Sequence, residues 1–207
     1  MAANMITLVR LLLVFVVVAL FNLSFYANAA MLVMTILIIA MDWADGYVAR
    51  KQGKSSDFGA IFDIAGDRIV ENILWVYFAV IQMVPFWVPM VVVTRGFITD
   101  LLRSMAFAKG KTPFGEKTMM DSRWAKALVS SRISRGIYAF SKVVVFCYLA
   151  AILTLNSAIA EFSLSIPGSI LSGLLIAGSV IVYMTVAMCI IRGIPVIVDG
   201  RKYLTAA

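Results

Sequence analysis

Four aspartates sit where apolar stretches end or begin: Asp42 and Asp45 near the end of one, Asp63 and Asp67 early in the next. On helices, Asp42 and Asp45 are i and i+3, while Gly59, Asp63 and Asp67 are i, i+4 and i+8, so each set lines one stripe. The linker from Arg50 to Phe58 is short enough to bring the second helix back antiparallel to the first, and the four carboxylates then converge. Clustered anions cannot all stay ionised in a partly dry site without cations. The sequence has no histidine, and Cys147 and Cys189 lie inside apolar runs, so the donors are oxygens. Such a donor set selects hard ions, Mg²⁺ or Mn²⁺ with Ca²⁺ as a further option, and two stripes can hold two of them. Ions of this kind typically bind phosphate or pyrophosphate oxygens. Gly46, one turn after Asp42, and Gly59, one turn before Asp63, remove side chains at the carboxylate level and open a slot for a ligand. Arg50, a turn beyond Gly46, supplies a planar donor fork suited to phosphate.

The elements that must carry these acids are set by composition. Of 207 residues, 62% are hydrophobic and 14% charged, and the mean hydropathy is +0.97; a soluble domain is nearer ~25% charged. The expected class is an all-α integral membrane protein forming a single domain over residues 1–207. Charge clusters and Pro/Gly breaks divide it into six transmembrane helices at about 5–25, 29–49, 59–83, 85–107, 133–155 and 168–192. The segment Met5–Leu20 has Arg10 as its one charge and no small-residue cleavage site, so it reads as a retained span rather than a signal peptide. The absence of histidine argues against Ser-His or Cys-His catalysis, and the cysteine pattern against a disulfide scaffold.

Positive charge alternates from joint to joint. The joints Tyr26–Ala30, Gln82–Trp87 and Asn156–Pro167 contain no Lys or Arg. Arg50, Lys51 and Lys54 fill the second joint, a run from Lys109 to Arg135 the fourth, and Arg192, Arg201 and Lys202 the tail. The positive-inside rule then puts both termini and both aspartate stripes on the cytoplasmic side. The net charge of +7 reads as orientation and affinity for anionic ligands, with no nucleic acid partner. Lys109–Ser131 is expected to be a cytoplasmic loop with a short interfacial helix. The Ser- and Gly-rich face of 163–181 suits close helix packing, within the fold or in a dimer.

In order, the residues read Asp42-Trp-Ala-Asp45-Gly46-Tyr-Val-Ala49-Arg50, eight residues, Gly59-Ala-Ile-Phe-Asp63-Ile-Ala-Gly-Asp67. This resembles the signature of the CDP-alcohol phosphotransferase family, D-x2-D-G-x2-A-R-x8-G-x3-D-x3-D, at every fixed position and spacer. The resemblance implies a six-helix membrane enzyme of the bacterial or archaeal inner membrane, working at its cytoplasmic side. It implies transfer of the phosphatidyl group of CDP-diacylglycerol to a hydroxyl of a small polar alcohol, with release of CMP. Carried over position by position, Asp42, Asp45, Asp63 and Asp67 would bind two divalent cations, Mg²⁺ or Mn²⁺, and Asp67 would also be the general base. Gly46 and Gly59 would line the cytidine slot beside Ala49, Arg50 would hold the pyrophosphate, and Asp45 would share in binding the CDP group. Relatives suggest a homodimer.

A looser resemblance concerns the acceptor. Asn4-Met-Ile-Thr7-Leu-Val-Arg10 is similar to the N-x-x-T-x-x-R start of bacterial phosphatidylglycerophosphate synthases, and its three fixed residues share one helical stripe. Asn4 and Thr7 join the expected CDP-binding set. Thr94-Arg95 and Leu102-Arg103 fall where that branch carries A-R and L-R. Arg132, Arg135 and Lys142 run down one face of the fifth span. These five cations, Arg95, Arg103, Arg132, Arg135 and Lys142, are the expected acceptor-binding residues. They favour a phosphorylated acceptor, glycerol 3-phosphate first, with inositol phosphate, serine or another alcohol as alternatives. The G-K-x-K-T run of that branch is absent from the fifth region. A divalent-cation or proton transporter is the rival of another class, since intramembrane acids suit it too, but it leaves Gly46, Ala49, Arg50 and Gly59 without a reason for their spacing.

Overall fold

Ala2–Leu20 forms the first helix, α1, whose buried stripe is Thr7, Arg10, Val14 and Val17, the three-and-four spacing of one helical face, continued just past its end by Phe21. The computed structural model describes residues 2–52, 57–111 and 118–204, with the side chains of 2–3, 42–52, 57–58, 60–61 and 132 outside the described set. Helix α2 spans Phe25–Gln52, α3 Asp57–Val80 and α4 Trp87–Ala108. A single helical turn, α5 (Arg123–Ala125), passes into a π-helical turn at Lys126–Ser130. Then come α6 (Arg132–Phe162), α7 (Gly168–Gly200) and a 3-10 turn at Arg201–Tyr203. Among the described residues there is no strand, and the all-α expectation is met. Ile133–Phe162 and Gly168–Tyr203 are long and apolar enough to cross a membrane; Asn4–Leu20 and Phe25–Met41 are shorter apolar helices.

Three expected boundaries are corrected. The joint placed at Tyr26–Ala30 is helical; the chain turns instead at Asn22, which adopts a left-handed φ of 67°. Ser24 caps α2 by accepting from the Ala27 N–H at 3.2 Å, and Asn28 Oδ1 accepts from the Asn22 N–H at 2.6 Å. The joint expected from Asn156 starts only at Ser163, whose φ is 51°, because Ser157 accepts from Asn28 Nδ2 at 2.6 Å and so stays helical and satisfied. The last helix does not stop at Arg192: Pro195 lies inside α7, which continues to Gly200. The expected helix in the Lys109–Ser131 stretch is present as α5 with its π-helical turn, started by Ser122, whose Oγ accepts from the Ala125 N–H at 3.2 Å.

The chain groups into two compact units. The first is Met1–Phe86 with Val143–Ser179, the second Trp87–Lys142 with Val180–Ala207. In the first, α1 packs on α2 and α3, and Trp75 and Phe78 of α3 meet Phe146 of α6 at ring distances of 5.0 and 6.4 Å. Tyr148 of α6 donates to the Leu174 carbonyl at 2.8 Å, and a Cβ at Gly178 would come 3.1 Å from its ring. The small-residue face of α7 is therefore used, at Gly178, for packing inside the unit. In the second unit, Met119, Met120 and Val129 are buried with Leu102, Ala106, Val196 and Tyr203, so part of the polar stretch is anchored in a core. There Lys202 Nζ grips both carboxylate oxygens of Asp121, at 2.7 and 2.6 Å.

Candidate active site

Helix α3 carries Asp63 and Asp67 on the face that continues through Val70, Leu74 and Phe78, all three buried. The hydrophobic part of this stripe fixes the rotation of the helix, and the rotation fixes where the carboxylates stand. Arg10 of α1 meets both: its Nη2 donates to Asp67 Oδ1 at 2.6 Å and lies 3.8 Å from Asp63 Oδ1. The guanidinium side chain is 2% exposed, the two aspartates 42% and 45%. A buried cation thus backs two carboxylates that remain half open on their other side. Gly66, between them, faces Thr7 of α1, which is buried. Asn4 is half-buried one turn before Thr7 on the same helix. One turn beyond Asp67, Glu71 is buried with Arg68 at 3.6 Å.

Asp42, Asp45, Gly46, Ala49 and Arg50 belong to the last turns of α2, and their side chains lie outside the described residues. Gly59 is in the first turn of α3. Among the described residues no three Asp, Glu, His or Cys side chains gather; Asp63 and Asp67 make a pair. Two half-open carboxylates one turn apart, with only oxygen donors, suit part of the coordination shell of a hard divalent ion and leave the rest to other oxygens.

The second unit holds a cationic centre built around one ring. Tyr138 of α6 is buried, and Arg95 of α4, Lys142 of α6 and Arg192 of α7 stand 5.8, 5.1 and 5.6 Å from its centroid. Each is within cation–π range. Arg95 and Arg135 also lie within coulombic reach of Arg192. Three cations on one ring repel one another, an arrangement that an anion would relieve. The Nε atoms of Arg95 and Arg192 are buried without a hydrogen-bond partner among the described residues. Arg95 reaches the ring by crossing Gly193, where a Cβ would come 2.9 Å from Arg95 Cγ.

Of the five expected acceptor cations, Arg95 and Lys142 meet at Tyr138, and Arg135 lies within reach of Arg192. Arg103 pairs with Asp100 on its own helix at 3.3 Å, and the Arg132 side chain is outside the described set. Two participants were missed from sequence. Arg192 reads there as a flanking charge; folded, it is 6% exposed. It donates to the carbonyls of Leu128 and Val129 at 2.6 and 3.3 Å and to Ser134 Oγ. The signal available was its position inside a helical run rather than after one. Tyr138 carries no signal of its own beyond lying one turn before Lys142.

The chain matches the CDP-alcohol phosphatidyltransferase family over residues 1–191. Similar curated proteins include the CDP-diacylglycerol–glycerol-3-phosphate 3-phosphatidyltransferase of Bacillus subtilis (strain 168), 24% identical over 107 residues, 52% of this chain and 55% of the relative. The Treponema pallidum (strain Nichols) protein of the same name is 26% identical over 121 residues, 58% of this chain and 56% of the relative. A putative cardiolipin synthase of Mycobacterium bovis (strain ATCC BAA-935 / AF2122/97) is 35% identical over 94 residues, 44% of each. The chain spans about half the length of the curated relatives it matches. With the family match running through the aspartate stripes and on to the last long helix, the chain belongs to the CDP-alcohol phosphatidyltransferase family.

Proposed function

We propose that this protein is a membrane-embedded phosphatidyltransferase of phospholipid biosynthesis that moves the phosphatidyl group of CDP-diacylglycerol to a hydroxyl of glycerol 3-phosphate and releases CMP. The observation that carries the proposal is the complete D-x2-D-G-x2-A-R-x8-G-x3-D-x3-D spacing from Asp42 to Asp67, with Asp63 and Asp67 on one half-open face of α3. Six spans, cytoplasmic termini, a homodimeric state and an inner-membrane location complete the reading.

Two divalent ions, Mg²⁺ or Mn²⁺, held by Asp42, Asp45, Asp63 and Asp67, would supply charge neutralisation at the diphosphate. Asp67 takes the proton of the attacking hydroxyl. The acceptor oxygen bonds to the phosphorus nearer the lipid, the bond from that phosphorus to the bridging oxygen breaks, and the bridging oxygen leaves with CMP. Arg50 holds the pyrophosphate, while Gly46, Ala49 and Gly59, with Asn4 and Thr7, shape the nucleotide slot. Arg95, Arg135 and Lys142, joined by Arg192, are the cations assigned to the acceptor, and their excess of positive charge favours a phosphorylated alcohol over serine or inositol.

The name of the Mycobacterium bovis relative favours a second acceptor reading. Cardiolipin carries two phosphatidyl groups on one glycerol, so a phosphatidyl transfer that yields it needs an acceptor already bearing the first. The deciding experiment incubates purified protein with CDP-diacylglycerol, Mg²⁺ and, separately, glycerol 3-phosphate, inositol phosphate, serine or phosphatidylglycerol, and follows CMP. Release with glycerol 3-phosphate, stopped by EDTA and restored by Mg²⁺ or Mn²⁺, is expected. Release with serine alone would overturn the acceptor, and ion flux in liposomes without CMP would overturn the enzyme.

A further inference from the structure

Arg10 is the one charged residue of α1, and it is buried more deeply than either acid it touches. Burying a guanidinium is unfavourable unless it is paired and hydrogen-bonded, and here the pairing is with Asp67 at 2.6 Å and Asp63 at 3.8 Å. Its reach is set by the backbone: the absence of a side chain at Gly66 lets α1 close on α3, and a Cβ there would lie 3.5 Å from Arg10 Nη2. The cation therefore belongs to the fixed frame of the site, whereas the carboxylates are open to a ligand.

We propose that Arg10 is the positioning residue of the α3 carboxylate pair, a built-in counter-cation that orients Asp67 and acts on the same two carboxylates as the divalent ions. The inference rests on the reading of Asp63 and Asp67 as metal ligands. A guanidinium planted behind Asp67 keeps the two neighbouring acids arranged when no metal is bound and limits how Asp67 can turn when one is. Removing the charge takes this counter-cation from the pair; replacing it with lysine keeps the charge but not the fork that fixes the orientation.

The test uses the full chain in detergent, with wild type, Arg10→Gln, Arg10→Lys, Asp67→Asn and the Arg10→Gln/Asp67→Asn double variant melted in EDTA and in MnCl₂. Arg10→Gln is expected to melt about 5 °C lower in EDTA, with Mn²⁺ recovering most of the deficit. The double variant should melt no lower than Arg10→Gln alone, because the two residues act through each other. Arg10→Lys should keep its melting temperature while kcat falls roughly tenfold or more and the KM for CDP-diacylglycerol stays unchanged. An equal deficit with and without Mn²⁺, additive losses in the double variant, or full kcat in Arg10→Lys would each overturn the proposal. A wild type that releases no CMP yet shows the Arg10–Asp67 coupling in EDTA would support the positioning role and sink the proposed reaction instead.

Discussion

Gly66 of α3 and Thr7 of α1 approach so closely that a Cβ on residue 66 would lie 2.7 Å from Thr7 Cγ2. Gly66→Ala therefore drives a methyl into the Thr7 side chain, which must shift, at a stability cost of about 1–3 kcal/mol. Adding Thr7→Ser removes the methyl group in the way and should restore most of the loss. Thermal melting of the single and double variants checks this; a double variant as unstable as Gly66→Ala would place the strain elsewhere.

Asp67→Asn keeps the shape of the side chain and removes its charge. Turnover should fall at least about 100-fold, while binding of CDP-diacylglycerol in the presence of Mg²⁺ persists. CMP release and equilibrium binding are measured on the same preparation. Substantial residual activity removes Asp67 from the base role.

Arg192 does two jobs, holding the Leu128 and Val129 carbonyls and standing by Tyr138. Arg192→Met is expected to lose about 1–3 kcal/mol of stability, since the carbonyls lose a charged donor. Its KM for glycerol 3-phosphate should rise roughly tenfold or more, with the KM for CDP-diacylglycerol unmoved. An equal rise in both constants would mean a general structural defect rather than loss of an anion contact.

Asn28 is fully buried and links the start of α2 to α6 through Ser157. Asn28→Ala should cost about 1–3 kcal/mol without altering kcat, and Ser157→Ala in the same chain should add less than its separate effect. Denaturation and CMP release together read both halves of this expectation.

Among the described residues the long helices were legible wherever an apolar run is bounded by charge or by proline and glycine, and the break between α1 and α2 at Asn22, which has none of these, was misplaced; the carboxylate stripe of α3 followed from four-residue spacing alone. What escaped the sequence were polar residues whose partners lie far along the chain. Asn28 and Asn156-Ser157 look like loop residues until Asn28 and Ser157 are seen to satisfy each other across 129 positions. Arg10 stood out by spacing with Asn4 and Thr7, but nothing in periodicity reveals a carboxylate 57 positions away. Arg192 resembles the ordinary basic flank of a span, and Pro195 looks like a stop, so the last helix seemed to end just where its buried cation sits. The aspartate stripe of α2 falls on side chains outside the described residues and stands on its spacing.

The grip of Arg192 on the carbonyls at 128 and 129 also sets an order of construction. Arg10 and Asp67 can meet once residue 67 has emerged from the ribosome, but the ring of cations around Tyr138 stays incomplete until residue 192 has been added. A nascent protein arrested before residue 192 would thus own its acidic half while lacking a finished basic one, and quality control acting on truncated products would meet a molecule with half its electrostatics assembled.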